Sequence, residues 1–300
     1  MPLYSVCIAT YQRPTGLLHL LASIEEQVLD PETDVEIIVV DNDPGTAEEL
    51  VSQFAATSRF AVRYMTQPEP NISLTRNVAV HAAAGEFIWF VDDDEVAAPD
   101  CLQRLASALD EFDADGVFGP VIPSFENDLP EWIRTSHAFN RPIGITGRVS
   151  EGYRTSNTLV RTRTLEQVDG PFDPGYGATG GSDSFLFRTL AKAGHSFIDS
   201  GDAFVTESIP ASRATWSWMR GRVRRQGQNY ARQTVSLSKG AFSRPVVAML
   251  AKAFILIPAS AMMSLIHLRD RSRRSRWILR LWSNVGKFEG VAGMVSIRQP

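Results

Sequence analysis

Residues 87–95 read FIWFVDDDE, a run of five apolar residues followed at once by four acidic residues. Phe87–Val91 predicts a buried strand, because it is short, apolar and built from β-branched and aromatic side chains. Asp92–Glu95 places four like charges in sequence, which repel one another unless solvent or a cation neutralises them. A solvated acidic loop would also fit these four residues. Directly after a strand, however, the cluster favours a cation site, because ligands of open α/β sheets bind beyond the carboxyl ends of the strands.

The chain before this stretch alternates strand and helix patterns. Tyr4–Thr10 and Val35–Val40 are apolar runs typical of strands covered on both faces. Helical patterns begin at Pro14, cover 74–84 and start again at Pro99. This βαβα order predicts an α/β protein with a doubly wound, mostly parallel sheet.

Polar groups collect at the carboxyl ends of three predicted strands. The first strand ends in Ala9-Thr10-Tyr11, the second in Asp41-Asn42-Asp43, and Phe87–Val91 in the acidic run 92–95. We expect the fold to bring these strand ends to one edge. The D-x-D spacing turns Asp92 and Asp94 to the same side of an extended end, with Asp93 turned aside. Carboxylates are the ligands that Mg²⁺ and Mn²⁺ prefer, often together with phosphate oxygens.

Two weaker signals lie elsewhere. Gly180-Gly181-Ser182-Asp183 could be a plain helix N-cap, or a tight turn that holds Asp183 as a general base. Arg76, early in a predicted helix, is either a surface residue or a phosphate contact.

The charge of the chain is divided unevenly. Residues 1–207 hold 13 Lys and Arg against 32 Asp and Glu, a net charge of −19, whereas residues 208–300 hold 17 against 2, a net charge of +15. A basic carboxyl-terminal part predicts an anionic partner surface. Cys7 and Cys101 lack any metal-binding spacing, so we expect reduced core residues.

Val246–Ile266 is a mostly apolar stretch of 21 residues, long enough to cross a bilayer. Lys252 and Pro258 interrupt it, and basic residues flank both ends, including Arg269, Arg271, Arg273, Arg274 and Arg276. These features favour an in-plane or re-entrant helix at an anionic membrane surface over a full span. A buried helical hairpin is the alternative. The preceding segment carries Trp216, Trp218, Arg220, Arg222, Arg224 and Arg225, which suit either a diphosphate or headgroup contact or a solvated basic helix.

Taken together, these motifs resemble family 2 inverting glycosyltransferases of the GT-A fold, over about residues 3–225. The motifs are ATYQRP at 9–14, VVDND at 39–43, LTRN at 74–77, FVDDDE at 90–95 and GGSD at 180–183. The last is similar to the Gly-Glu-Asp of that family, with Ser182 in place of Glu. Within the family, VDDDE, GPV and ESIPASRATWSWMRGRVRRQGQ look most like bacterial exopolysaccharide transferases of the succinoglycan type.

The resemblance implies roles for individual residues. Ala9, Tyr11 and Asp41 would hold the base and ribose of a nucleotide sugar, with Asp41 facing the pyrimidine. Asp92 would contact the ribose or the sugar of the donor. Asp94 would ligate the Mn²⁺ or Mg²⁺ that bridges the diphosphate, and Asp183 would be the catalytic base. Many relatives carry a His after the last strand as a further metal ligand. This chain has Thr206-Glu207 there, so either Glu207 substitutes for the His or this ligand does not exist.

The resulting expectation is a transferase at the cytoplasmic side of the cell membrane. Residues 1–210 would form the GT-A catalytic domain, and 211–300 a basic and apolar helical extension that associates with the membrane. The enzyme would move a hexose from a nucleotide diphosphate sugar, a UDP-sugar by preference, to a lipid-linked or polysaccharide acceptor.

Two other classes compete with this reading. A sugar nucleotidyltransferase usually has a Gly-rich loop after its first strand, and ATYQRPTG is poor in glycine. A non-catalytic protein that binds anionic surfaces would use the basic part alone. Nucleic acid is not an expected partner, since the acidic first part would repel a polyanion.

Overall fold

The computed structural model describes residues 2–125, 129–135, 138–139, 141–238 and 240–297. The strands in chain order are β1 (Leu3–Thr10), β2 (Asp34–Asp41), β3 (Ala61–Thr66), β4 (Phe87–Asp92), β5 (Glu95–Ala97), β6 (Gly116–Phe118), β7 (Val121–Phe125), β8 (Thr158–Arg161), β9 (Phe197–Asp199) and β10 (Val205–Ile209). The helices are α1 (Pro14–Glu25), α2 (Glu48–Ala55), α3 (Ile72–Ala82), α4 (Cys101–Glu111), α5 (Glu131–Arg134), α6 (Thr162–Leu165), α7 (Ser182–Lys192), α8 (Trp216–Leu237), α9 (Arg244–Ile266) and α10 (Arg271–Val291).

The chain forms two compact units. The first unit comprises Met1–Ile122, Pro142–Ala178 and Ser182–Glu207. The second unit comprises Pro123–Arg141, Thr179–Gly181 and Ser208–Pro300.

The main sheet of the first unit has seven strands among the described residues, in the order β3-β2-β1-β4-β8-β6-β9. Strands β3, β2, β1 and β4 run parallel to one another. Strand β8 runs antiparallel to both of its neighbours, β4 and β6. The doubly wound, mostly parallel sheet that the sequence predicts is therefore confirmed, with one reversed strand inside it.

Alternate side chains of the central strands enter two separate apolar layers. On β2, Ile37 and Val39 face the layer that contains α1 and α4, while Ile38 and Val40 face the layer that contains Phe172 and Phe187. All four β2 residues are fully buried. Burial on both faces explains why these strands are continuous apolar runs in the sequence.

The second sheet consists of β5, β10 and β7. Strand β5 follows β4 after a two-residue turn at Asp93 and Asp94, and it pairs antiparallel with β10. In this pairing Glu95 lies opposite Glu207. The acidic run is therefore divided, since Asp92 ends one strand and Glu95 begins another.

The second unit contains the helices α8, α9 and α10. Helices α8 and α10 approach so closely that a Cβ on Gly286 would lie 2.2 Å from the carbonyl oxygen of Arg224. Small residues allow such backbone approach between helices. Nε of Arg224 donates to Oε2 of Glu289 at 2.7 Å, so this arginine is paired within its own unit. The basic and apolar helical extension that we expected at the carboxyl-terminal side is present.

Helix α9 is long and apolar enough, by length and composition, to cross a membrane. Many of its large apolar side chains are exposed, among them Phe254, Ile255, Met262 and Leu265. The buried-hairpin alternative therefore does not describe this helix. Cys7 and Cys101 are free and buried, as expected.

Candidate active site

The carboxyl ends of β1, β2 and β4 meet at one edge of the main sheet. The parallel registers place Thr10 opposite Asp41 and Ala9 opposite Asp92. The expected convergence of Ala9, Asp41 and Asp92 is thus a consequence of strand pairing. Tyr11 follows directly after β1, and its side chain is 43% exposed.

Asp93 holds the loop that follows β1. Its Oδ2 accepts from the hydroxyl of Thr10 at 2.9 Å and from the backbone N–H of Tyr11 at 3.3 Å, and its Oδ1 accepts from Nη1 of Arg13 at 2.9 Å. The carboxyl group is buried, and this desolvation, together with the charge of Asp94, raises the pKa of Asp93 to about 6 against the pull of Arg13. Asp93 is therefore a structural carboxylate that links β1 to the acidic turn.

The turn itself lies against the start of α1. A Cβ on Gly16 would lie 2.5 Å from the carbonyl oxygen of Asp93, so only glycine allows this approach. Gln12, earlier in the same loop, has a φ of +53°. Its side-chain amide donates to Oδ2 of Asp43 at 3.0 Å. The β1–α1 loop is thus tied to both of its neighbouring strand ends.

Arg13 is a site residue that our reading of the sequence missed. Its Nη1 lies 2.8 Å from Oδ2 of Asp94 as well as 2.9 Å from Oδ1 of Asp93. Burial opposes its charge, but the two carboxylates outweigh this effect and raise the pKa of Arg13. The sequence could have indicated this contact. Arg13 lies in the loop after β1, and the parallel pairing of β1 with β4 places that loop beside the acidic turn.

Asp92 joins three elements at the sheet edge. Its Oδ1 lies 2.9 Å from Nη2 of Arg76 on α3, and its Oδ2 accepts from the hydroxyl of Ser156 at 2.8 Å. The Arg76 side chain is only 13% exposed, so the interpretation as a plain surface arginine is wrong. Ser156, which precedes β8, is a second residue that the sequence reading missed.

Ser156 is placed by the residue that follows it. Asn157 is fully buried with a φ of +49°, a conformation that Asn adopts more readily than most residues. Its amide donates to the carbonyl oxygens of Pro120 and Ala203 at 3.1 and 2.7 Å and accepts from the indole of Trp89 at 3.2 Å. This anchored bend turns Ser156 toward Asp92.

Glu95 is a buried carboxyl group beside other acids. Its Oε2 accepts from the backbone N–H of Asp92 at 2.9 Å. Burial raises the pKa of Glu95 well above its usual value, and the negative charges of Asp92 and Glu207 add to this effect. Glu207 lies beside the acidic turn through the β5–β10 pairing.

The charge of this edge suits a divalent cation. The guanidinium groups of Arg13 and Arg76 pair with Asp92, Asp93 and Asp94 of the acidic turn, and carboxylate oxygens are the ligands that a divalent cation such as Mg²⁺ prefers. In the part of the chain that the structure describes, no cluster of three or more His, Cys, Asp or Glu could hold a metal by itself. Mg²⁺ commonly takes one or two carboxylates and completes its shell with substrate phosphates and water, so this donor set fits.

Asp41 lies at the same edge but is fully buried. Its Oδ2 accepts from the hydroxyl of Tyr64 at 2.9 Å and from the backbone N–H of Ala47 at 3.0 Å, and its Oδ1 accepts from the N–H of Asp43 at 2.9 Å. All of these contacts organise the β2–α2 loop.

Asp183 lies in the first turn of α7, where the helix dipole favours a negative charge. Its Oδ1 accepts from the backbone N–H of Ser184 at 2.7 Å. The ring of Phe185 stacks on Tyr176 with centroids 5.1 Å apart. The chain beside Tyr176 contacts α3, since Asn71 donates to the carbonyl oxygen of Pro174 at 3.2 Å.

Comparison with known proteins gives one family. Residues 5–168 match the model for glycosyl transferase family 2. The chain is 30% identical, over 294 residues, to the succinoglycan biosynthesis protein ExoM of Rhizobium meliloti (strain 1021), covering 97% of this chain and 94% of ExoM.

Two solved structures show the same fold. The mannosyltransferase PcManGT of Pyrobaculum calidifontis, in complex with GDP-Man and Mn²⁺, has a TM-score of 0.66 at 17% identity, covering 96% of this chain and 87% of that one. TarS 1–349 of S. aureus, in complex with UDP, has a TM-score of 0.54 at 16% identity, with 97% and 92% covered. The GT-A fold that the motifs implied is thereby confirmed.

Proposed function

This chain belongs to glycosyl transferase family 2, and on that premise we propose that it transfers a hexose from a nucleotide diphosphate sugar, with inversion, to a lipid-linked or polysaccharide acceptor. The observation that carries the proposal is the meeting of Ala9, Asp41 and Asp92 at one sheet edge, next to an acidic turn that Arg13 and Arg76 contact. ExoM is named for succinoglycan biosynthesis, which supports a role in exopolysaccharide or other cell-surface glycan synthesis.

The donor nucleotide is proposed to lie over the ends of β1 and β2. Tyr11 is the exposed aromatic side chain at this edge and suits contact with a base. Ala9 provides backbone beneath it. Asp41, whose carboxylate is buried, acts in this proposal by shaping the loop that surrounds the base and ribose. The UDP complex of TarS supports a uridine nucleotide.

The diphosphate is proposed to lie at the end of β4. Arg76, held 2.9 Å from Asp92, would bind phosphate oxygens, and Asp92 would contact the ribose or the hexose. Asp94 would hold Mn²⁺ or Mg²⁺, with Glu207 as a further candidate ligand. Such an ion stabilises the negative charge that grows on the leaving diphosphate. The Mn²⁺ in the PcManGT complex supports this choice of cofactor.

Asp183 is the proposed general base. It would take the proton of an acceptor hydroxyl while the oxygen of that hydroxyl attacks the anomeric carbon of the donor. The bond from this carbon to the diphosphate breaks as the new glycosidic bond forms, and the nucleoside diphosphate leaves with the electron pair. A single displacement of this kind inverts the anomeric centre. The place of Asp183 in the first turn of α7, directly after the glycine turn Gly180-Gly181, supports this role.

The second unit is proposed to bind the anionic cytoplasmic face of the cell membrane. Helix α9 exposes large apolar side chains, and the basic residues before and after it suit anionic headgroups. We favour a helix in the plane of the membrane. Release of the protein from membranes by a carbonate wash would support surface binding, whereas retention would indicate insertion.

The test of the proposed reaction is a panel of UDP-glucose, UDP-N-acetylglucosamine and GDP-mannose with the purified protein and Mn²⁺. We expect thermal stabilisation and slow donor hydrolysis with at least one UDP-sugar, both lost on chelation. A sugar nucleotidyltransferase would instead form a nucleotide sugar from a nucleoside triphosphate and a sugar phosphate. Failure to bind every nucleotide sugar in the presence of Mn²⁺ would contradict the proposal.

A further inference from the structure

A cavity of about 320 Å³ lies within the second unit, between α8, α9 and α10. Helix α8 lines it with three residues, and α9 and α10 line it with two residues each, spaced by about one turn. These residues are Gln226, Gly227 and Tyr230, Met249 and Lys252, and Ser283 and Lys287. The lining combines two ammonium groups with a hydroxyl, an amide and an aromatic ring.

Lys287 is the half-buried cation of this cavity, and Lys252 is an exposed one. Its Nζ donates to Oδ1 of Asn284 at 2.9 Å and lies 5.7 Å from the ring centroid of Tyr230. Because an ammonium carries three donors, two N–H groups remain for a ligand. Burial lowers the pKa of Lys287, and the positive charges of Lys252 and Arg280 lower it further. The cavity therefore brings together positively charged side chains that repel one another.

The two acidic residues of the carboxyl-terminal part pair with residues other than Lys252 and Lys287. Residues 208–300 contain two acids, Asp270 and Glu289. Glu289 is bound by Arg224 and Gln228, and Asp270 caps α10 and pairs with Arg273 at 3.3 Å. Among the described residues that line the cavity there is no carboxylate. An anion from outside the protein would balance the two lysines.

The surface beside the cavity is apolar. On α9, Phe254 and Ile255 follow Lys252 within one turn and are 73% and 67% exposed. Leu265 and Ile266 continue this exposed apolar surface to the end of the helix. A cationic cavity next to an exposed apolar helix matches a ligand with a phosphate head and a hydrocarbon tail.

We propose that this cavity binds the phosphate group of an anionic membrane lipid. Lys252 and Lys287 pair with the phosphate oxygens, the hydroxyl of Ser283 and the amide of Gln226 donate to them, and the hydrocarbon chain lies along the apolar surface of α9. This inference rests on the proposed membrane association of the second unit and names the chemical group that it recognises.

The test is sedimentation of the full chain with three kinds of vesicle: phosphatidylcholine alone, the same lipid with phosphatidylglycerol, and the same lipid with a polyprenyl phosphate. We expect binding to the second or third kind, and the Lys252→Gln/Lys287→Gln variant should lose about tenfold or more of that affinity. The Arg148→Gln/Arg163→Gln variant removes the same charge from exposed positions of the first unit and should lose much less. The Lys252→Arg/Lys287→Arg variant should keep binding, which separates a lost contact from a misfolded unit.

Each arm decides a separate point. Preference for phosphatidylglycerol or for polyprenyl phosphate identifies which lipid carries the phosphate. Equal losses in the two glutamine variants would overturn the cavity and leave general charge attraction. Failure of the unmodified protein to bind any vesicle would overturn the membrane association itself. Inorganic phosphate is the competitor in the same assay. If it displaces the protein from the vesicles as effectively as the phosphate-bearing lipid does, the requirement for a hydrocarbon chain is overturned.

Discussion

Nη1 of Arg13 lies 2.8 Å from Oδ2 of Asp94, the carboxylate proposed to hold the divalent ion. The same nitrogen lies 2.9 Å from Oδ1 of Asp93, so one guanidinium neutralises two neighbouring acids of the turn. This contact keeps four consecutive carboxylates compatible with a compact sheet edge. It also places a cation where a diphosphate would lie in the proposed complex.

Arg13→Ala should destabilise the first unit, because it removes the cation that faces the buried Asp93. Breaking a buried pair from one side costs about 3 kcal/mol or more, and partial exposure of Arg13 puts this site at the lower end. Urea denaturation at pH 7 measures the change. Arg104→Ala, which removes exposed ion pairs with Asp100 and Asp202, is the matched control and should change the free energy of unfolding less. Equal effects would show that the Arg13 contact is not special.

The pKa of about 6 for Asp93 predicts a pH-dependent stability. Since the value in the unfolded chain is near 3.8, the folded protein binds the extra proton between about pH 4 and 6. The contribution of this group to the free energy of unfolding therefore falls as pH rises through that window. A pKa difference of about two corresponds to about 3 kcal/mol.

Asp93→Asn should remove this contribution. The difference in unfolding free energy, unmodified protein minus variant, should decrease between pH 4 and pH 7 in a series of urea titrations. A difference that stays flat, or that grows with pH, would contradict the raised pKa.

Asp94→Ala should weaken donor binding only when a divalent ion is present. Calorimetry with a UDP-sugar, with and without Mn²⁺, measures the two affinities. The affinity gained on adding Mn²⁺ should disappear in the variant, because its proposed protein ligand is gone. Asp30→Ala changes an exposed acid away from the strand ends and should keep the gain. An unchanged Mn²⁺ effect in Asp94→Ala would remove this residue from the proposed metal site.

Asp183→Asn should keep donor binding and lose transfer by a factor of about 10²–10⁴, the range for loss of a general base. Product formation under saturating donor and acceptor measures the rate. Asp169→Asn alters an exposed acid of the preceding loop and should retain activity. Full transfer by purified Asp183→Asn would end the assignment of this residue as the base.

Gly286→Ala tests the helix contact of the second unit. The added Cβ would lie 2.2 Å from the carbonyl oxygen of Arg224, so α8 and α10 must move apart, at a cost of about 1–3 kcal/mol. Gly221→Ala is the control, since its nearest neighbour, outside its own helix backbone, is a flexible arginine tip at 3.4 Å. Alanine should stabilise that helix by about 0.5–1 kcal/mol relative to glycine. Thermal unfolding of both variants should shift in opposite directions.

Much of the fold could be predicted because the strands are buried on both faces. Phe87–Val91 and Val35–Val40 are continuous apolar runs, and such runs occur where helices cover a sheet on either side. The reversal of β8 could not be predicted, since the short stretch Thr158–Arg161 has no periodicity that reveals its direction. Strand pairing, which sets direction, is a contact distant in sequence.

Part of the candidate site could be predicted because the ends of the strands are visible in the sequence. Ala9, Asp41 and Asp92 lie at the carboxyl ends of strands, and parallel pairing brings such residues together without further information. Arg13 and Ser156 lie in loops, and their contacts with the acidic turn depend on how Gly16 and Asn157 shape the backbone. The roles of Asp94 and Asp183 stay predictions.

The sequence by itself determined the alternation of strands and helices, the polar strand ends and the opposite charges of the two parts of the chain, because these depend on local pattern and composition. Only the tertiary structure decided which acids are buried and which cation neutralises each of them. The pKa of Asp93 and Glu95, the pairing of Arg76 with Asp92 and the cavity around Lys287 all depend on distances between residues far apart in the chain. Electrostatic energies vary with distance and with burial, and neither can be read from the order of residues.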